Sequence, residues 1–375
     1  MSDAERPAPC DWTTQLPPEI LAQIFLTSLA NAGDSSSDML SRNPPWLLSQ
    51  VCGRWRAVAL STPRLWCTLL PFANEINSRS PLPVSVLALA SAHIERSNPL
   101  PVKLRVDSDW WFSSRPLLDL LLSPTQTARW GEVQILRARE DDAGSQSILA
   151  ALRSATFTCL KTLRLEYCDF TGEPSRIVFP MLTSLTLFAS RTRFLKTLST
   201  PLLRHFEVQH IYVGGNDDYT SASADLFAFI QRGASSRLNL GNSQISDNEL
   251  IGSLKKLPNL TELQVSDTAA EVPAPLSDAL LNGLCSQMHE PCGLPQLQTL
   301  SISGDLPSSA TSLLLDVLES RCYASETCGP LRSVRLCPYA PLKPETTRRL
   351  KALAEKGMDV AAFTFRSHQW VRVVL

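Results

Sequence analysis

Apolar positions recur at helical spacing near the start of the chain and alternate along most of the rest. After Pro17 and Pro18, the residues Ile20, Leu21, Ile24, Phe25 and Leu29 draw one stripe, the period of an amphipathic helix. Both prolines suit a helix start, because their φ is already near the helical value and a first turn leaves the missing N–H unpaired anyway. A polar run from Asn31 to Pro45 interrupts the pattern. Leu47, Leu48, Val51, Cys52, Trp55, Val58 and Ala59 then predict a second helix, ending before Pro63, with Leu65 and Trp66 as an apolar anchor. Val84 to Ile94 reads as a further helix, broken at Asn98-Pro99-Leu100-Pro101.

Beyond Pro101 a short alternating unit keeps returning: Leu104-x-Val106, Val133-x-Ile135, Leu163-x-Leu165, Leu185-x-Leu187, Phe206-x-Val208, Leu238-x-Leu240, Leu263-x-Val265, Leu300-x-Ile302 and Val334-x-Leu336, at steps of 21 to 37 residues. Alternation of this kind predicts strands with one buried face. An apolar residue stands three positions earlier at Leu160, Leu182, Leu203, Leu260, Leu297 and Leu331. Helical patterns fall between strands at Ala224 to Gln231, Asp278 to Met288, Thr311 to Arg321 and Pro344 to Lys356. Met358 to Phe365 and Trp370 to Leu375 predict a last strand and a closing cap.

Strand, loop and helix repeating at this period point to an α/β chain, either a solenoid whose units bury their edges against one another or an open α/β domain with a parallel sheet. The expected organisation is a flexible N-terminus over 1–11, a helical module over 12–70, a linker and connecting helix over 71–100, and the repeating region over 101–375.

Composition narrows the function classes. Of 375 residues, 44% are hydrophobic and 19% charged, enough for folded cores. Thirty-five basic residues against thirty-six acidic ones leave a net charge of -1, so no broad basic field exists to bind nucleic acid or an anionic membrane. The polar opening Met1-Ser2-Asp3-Ala4-Glu5-Arg6-Pro7 lacks a signal peptide's apolar core, and ten scattered cysteines lack framework spacing; an intracellular location, cytoplasmic or nuclear, is expected.

Within the helical module, Leu16-Pro17-Pro18-Glu19-Ile20-Leu21-x2-Ile24-Phe25, then Val51-Cys52-x2-Trp55-Arg56-x2-Ala59, then Pro63-x-Leu65-Trp66 resembles an F-box, in particular the F-box-like type of fungal proteins. Its first two elements stand further apart than in the usual F-box. The resemblance implies docking on the Skp adaptor of a cullin-RING (SCF) ubiquitin ligase. Leu16, Pro17, Pro18, Ile20, Leu21, Ile24 and Phe25 would supply the leading contact surface, with Leu48, Val51, Trp55, Leu65 and Trp66 divided between that surface and the module's own core. Arg54 and Arg56 would be solvated flank.

The alternating region resembles a degenerate leucine-rich-repeat array. The Asn or Cys that usually follows the strand stands only at Cys168, in Leu160-x2-Leu163-x-Leu165-x2-Cys168.

Neither part carries recognisable catalytic chemistry. The chain has no phosphate-binding glycine loop, dinucleotide fingerprint or nucleophile elbow. Cys285-x3-His289-x2-Cys292 lacks a fourth zinc ligand, and Cys322 with Cys328 is no better. Glu140-Asp141-Asp142 reads as a solvated turn, and Trp110-Trp111-Phe112 as packing.

The expectation is therefore a non-catalytic substrate receptor without cofactor or metal. It would dock on Skp and use exposed strand positions to hold a target protein. Alternation nominates Arg164, Glu166, Glu207, Gln209, Gln264, Ser301 and Arg335 for that contact. The alternative is an F-box and repeat scaffold acting outside an active ligase.

Overall fold

A computed structural model describes residues 15–31, 44–69, 84–108, 110–138, 143–170, 176–210, 219–233, 235–241, 247–266, 281, 294–304, 308–322, 329–366 and 369–373. The chain divides into two compact units: Met1–Gln134 with Asp141–Leu160, and Ile135–Glu140 with Lys161–Leu375.

In the first unit, α1 (Pro18–Asn31) starts at the proline pair as expected. The second helical run is broken in two, α2 (Pro44–Val51) and α3 (Gly53–Leu60). The break falls at Cys52, whose backbone is extended and whose Sγ accepts the Trp55 N–H at 3.5 Å, an N-cap made by a thiol. A 3-10 turn, Pro63–Trp66, follows. Leu21, Phe25, Val58, Ala59, Leu65 and Trp66 form the buried centre.

The helix expected as a connector, α4 (Val84–Arg96), belongs to this same core. Trp46 Nε1–H donates to His93 Nε2 at 2.8 Å, and the Trp66 ring meets His93 edge-on at 4.9 Å. The Arg96 guanidinium lies 4.6 Å from the Trp46 ring centre and 4.5 Å from that of Trp66, close enough for cation–π attraction to both.

Strand β1 (Thr68–Leu69) pairs in parallel with β2 (Val102–Asp107), Thr68 opposite Lys103. The boundary expected near residue 100 is therefore absent, since strand pairing joins the helical module to the first alternating unit. β3 (Trp130–Leu136) lies beside β2. Helices α5 (Trp110–Leu121), α6 (Pro124–Thr127) and α7 (Ala143–Ser154) complete the unit.

The second unit is α/β, with a large, mostly parallel sheet. Its strands are β4 (Thr162–Glu166), β6 (Ser184–Phe188), β8 (His205–Gln209), β9 (Arg237–Gly241), β10 (Glu262–Ser266), β11 (Thr299–Gly304), β12 (Ser333–Pro338), β13 (Asp359–Arg366) and β14 (Gln369–Val373). They lie side by side in chain order. All pairs are parallel except β13 with β14, which is antiparallel. A second small sheet pairs β5 (Ile177–Val178) with β7 (Leu198–Ser199). Between strands run α8 (Tyr219–Arg232), α9 (Asp247–Leu254), α10 (Ser308–Ser320) and α11 (Pro344–Glu355).

Register explains why unequal steps in sequence give an even sheet. Leu163, Leu185, Phe206, Leu238, Leu263, Leu300, Val334 and Val360 stand opposite one another across successive strands, and Leu165, Leu187, Val208, Leu240, Val265, Ile302, Leu336 and Ala362 form a second such row. Every one of these sixteen side chains is buried. A one-residue slip of any strand would turn its pair to the other face, so burial fixes the register.

The strand starts repeat as well: the carbonyls of Lys161, Thr183, Arg204, Ser236, Thr261 and Gln298 each accept two successive N–H groups of the next unit. Variation in length is thus confined to the connections, where an added residue costs little.

Strand ends share a third device. Arg137, Tyr167, Ala189 and His210 each follow a strand and adopt φ of 53°, 55°, 46° and 55°. A left-handed non-glycine residue costs about 1–2 kcal/mol. In this conformation each N–H reaches the last carbonyl of the neighbouring strand, at Glu166, Phe188, Gln209 and Gly241.

Candidate functional site

On the helical module the stripe of α1 divides by direction. Leu21 and Phe25, expected on the contact surface, are each only 1% exposed and belong to the core. Being four residues apart, they share the face that turns toward α3 and the 3-10 turn. Leu65 and Trp66 are likewise interior, and the Trp66 indole N–H donates to the Ala59 carbonyl at 2.8 Å. Leu16, Leu48 and Trp55 are half-buried.

The residues left outside are Pro17, Pro18, Ile20, Ile24 and Val51. Ile20 is 49% exposed, Ile24 45% and Val51 60%, and two apolar residues not nominated from sequence, Leu47 and Leu60, join them at 48% and 40%. Large apolar side chains are thus open to water on a module whose interior is already filled.

Arg54 and Arg56 are more than solvated flank. The Arg54 guanidinium donates to the Leu16 carbonyl. Arg56 Nε donates to the Ser49 carbonyl at 2.9 Å, fastening α3 to α2. An arginine in a surface-like pattern gives no sequence sign that it will satisfy a carbonyl elsewhere in the chain. Nor did sequence nominate His93, which sits in the aromatic core. Burial is the largest cause pushing its imidazole down from 6.5 to about 4; a backbone hydrogen bond at Trp66 acts the other way, and the Arg96 charge adds to the fall.

On the strand array the nominated residues come together on one face, opposite the buried rows. Arg164, Glu207, Gln264, Ser301 and Arg335 lie in one register row, with Thr186 and Asn239 completing it. Glu166 and Gln209 lie in the next row with Phe188, Gly241 and Ser266.

Glu207 is the hub of this face. Its carboxylate accepts hydrogen bonds from Thr186 Oγ1 at 3.2 Å, Gln209 Nε2 at 2.5 Å and Asn239 Nδ2 at 2.8 Å. Arg164 pairs with Glu166. A Cβ at Gly241 would stand 2.8 Å from Ser266 Oγ, so a larger residue there would require that hydroxyl to turn aside. Arg335 is exposed, and Gln264 half-buried. Ser301, nominated as an exposed position, is only 9% exposed.

After the strands, Cys168 is buried, its Sγ 3.5 Å from the Ile135 carbonyl and 3.4 Å from that of Glu166, with one S–H to share between them. One unit later Ser190 takes the equivalent place. Its hydroxyl lies 3.2 Å from the Leu165 carbonyl and 3.0 Å from that of Phe188, and accepts the Cys168 N–H at 3.0 Å. A lone serine in a polar stretch carries no sequence sign of this role, which here falls to a short, buried hydroxyl.

Among the described residues no group of His, Cys, Asp and Glu could hold a metal ion, and no helix is long and apolar enough to cross a membrane. Burial raises the thiols of Cys67 and Cys337 above their ordinary range, which leaves them protonated near neutrality. Cys285, His289, Cys292, Cys328, Glu140, Asp141 and Asp142 lie outside the described residues, as do the side chains of Trp110, Trp111 and Phe112. Of the helix expected over 278–288, only Leu281 is described.

No family model matches the chain, and no curated protein matches it. Among solved structures, a crystal structure of a Bacteroides fragilis protein is similar at 16% identity over 74% of this chain and 77% of that one, with a TM-score of 0.37.

Proposed function

We propose that the protein is a substrate-recognition adaptor of an SCF-type ubiquitin ligase, its F-box-like module docking on Skp and its strand array, read as an irregular leucine-rich-repeat solenoid, holding a target protein. The observation that carries the reading is the set Ile20, Ile24, Leu47 and Val51, exposed on two short helices whose own core is complete. Covering such side chains is worth about 25 cal/mol per Å². A partner helix or groove gains that energy without disturbing Leu21, Phe25 or Trp66.

Support for the repeat reading comes from features that recur unit by unit. These are the two buried rows, the doubled hydrogen bonds at the strand starts, and the short donors Cys168 and Ser190 behind the strands. Strands running in chain order across the unit also favour stacked units over a doubly wound sheet, whose order reverses at a ligand-binding crevice.

An adaptor needs no nucleophile of its own. It accelerates transfer by raising the effective concentration of a target lysine at the charged carrier and by orienting it. Glu207, with Gln209, Arg164 and Glu166 around it, offers the target a polar face whose side chains are already fixed by one another.

Co-purification of the full chain with Skp and a cullin tests the proposal. Ile24→Asp alters an exposed side chain and should abolish Skp capture while leaving the melting temperature near that of the parent; Leu16→Ala with Pro17→Ala should weaken it further upstream. Unchanged capture by all three substitutions rejects the docking assignment. Skp binding without cullin would favour the scaffold outside an active ligase.

A further inference from the structure

A cavity of about 520 Å³ opens in the second unit, lined by the approach to β5, the length of β7 and the C-terminal end of α8. This volume falls in the range of small-molecule sites, about 300–1,000 Å³. Three cations line it: Arg176, Lys196 and Arg232.

Among the described residues, only one of the three has a carboxylate. Lys196 Nζ lies 3.0 Å from Asp225 Oδ1, and Asp225 is not itself among the lining residues. Arg176 Nη2 donates to the Ser199 hydroxyl at 3.4 Å, and Arg232 Nη2 to the Leu195 carbonyl at 2.7 Å. Each guanidinium has five N–H donors, so each keeps most of its fork for another acceptor. The hydroxyls of Thr197, Ser199 and Thr200 add short polar groups, and Pro201 supplies an exposed apolar edge.

The α8 C-terminus opposes an anion with about half a negative charge. Asp225 cancels Lys196. The two arginine charges outweigh the helix end, so the described lining is positive overall.

We infer that this cavity binds a phosphate monoester, its phosphoryl oxygens on the forks of Arg176 and Arg232 and its organic part against Pro201. Paired planar guanidiniums match phosphate geometry better than ammonium groups do. The cavity lies within the second unit, so the inference stands or falls separately from docking on Skp.

Titration calorimetry of the full chain with phenyl phosphate is the test, with phenol as the uncharged control. Saturable binding is expected for phenyl phosphate and none for phenol. Arg176→Ala, at an exposed residue with one long hydrogen bond, should weaken binding about tenfold or more, the loss of a charge-assisted contact. Arg232→Lys keeps the charge and loses the fork, and should weaken it too. Arg348→Ala, at an exposed residue of α11 outside the lining, should leave it unchanged.

Absence of saturable binding, or equal affinity in the parent and both pocket variants, overturns the inference. A phosphoserine peptide and glycerol phosphate distinguish the source. Tighter binding of the peptide assigns the site to a phosphorylated side chain, and tighter binding of glycerol phosphate to a free small molecule.

Discussion

In the helical module five buried side chains gather with Trp66 and are joined by a histidine and an arginine from α4, whereas in the strand array the interior is two rows of mainly aliphatic residues repeated strand after strand. The first arrangement concentrates its energy. Trp66 contacts Trp46 edge-on at 4.9 Å, takes His93 and Arg96 against its ring, and satisfies its own N–H at Ala59. The second distributes it, because each strand from β6 to β13 in that sheet hydrogen-bonds to two neighbours and each buried pair resembles the next. A centre of unlike parts fails at one residue, while a row of like parts fails by degrees.

Trp66→Ala is the sharpest way to break the comparison. It removes the aromatic contacts, one of the two cation–π partners of Arg96 and the bond to Ala59 together, and should cost about 3–5 kcal/mol. Hydrogen exchange should show protection lost in α1, α3 and α4 and kept in β9 to β12. An equal loss in both regions would mean that the two interiors unfold as one.

Acid reaches the same centre by another route. His93 is held neutral, with its folded-state value near 4 against 6.5 when free. Between those values the unfolded chain binds a proton that the folded chain refuses, so stability falls as pH drops from 6.5 to about 4 and is unaffected by this group above 6.5. The loss across that window should be about 3 kcal/mol. His93→Gln keeps an acceptor for the Trp46 N–H and should flatten the slope, which urea midpoints at pH 7, 5.5 and 4.5 would measure.

That centre also marks how far the sequence could be read. All nine alternating units appear as strands, because period-2 burial is a local signal that survives unequal spacing. The face shared by Arg164, Glu207, Ser301 and Arg335 followed from the same alternation, but the burial of Ser301 did not, since its register neighbours Gln264 and Arg335 are remote in sequence. Strands β1, β5 and β7 are two residues long and leave no period to detect. Helices α5, α7 and α9 escaped because serine, proline or glycine interrupts their stripes.

On α1 the sequence predicted an apolar face without saying which of its residues turn inward. Only packing against α3 and the 3-10 turn separates Leu21 and Phe25 from Ile20 and Ile24. The roles of His93, Arg96 and Arg54 were illegible for a related reason: a polar side chain satisfied by a tryptophan or a distant carbonyl looks, in one dimension, like any surface residue.

Val265→Ala probes the distributed interior at its middle. Val265 is 3% exposed and stands between Leu240 of β9 and Ile302 of β11. Removing two methyl groups there should cost about 2 kcal/mol. Because its row is continued by separate strands, the loss should concentrate in β9, β10 and β11, with β4 and β6 keeping their exchange protection. A uniform decline across the array would show that the rows act as one body and would remove the contrast with the Trp66 centre. A confined decline would mean that the array tolerates local damage, the property expected of units held together by nearest-neighbour contacts.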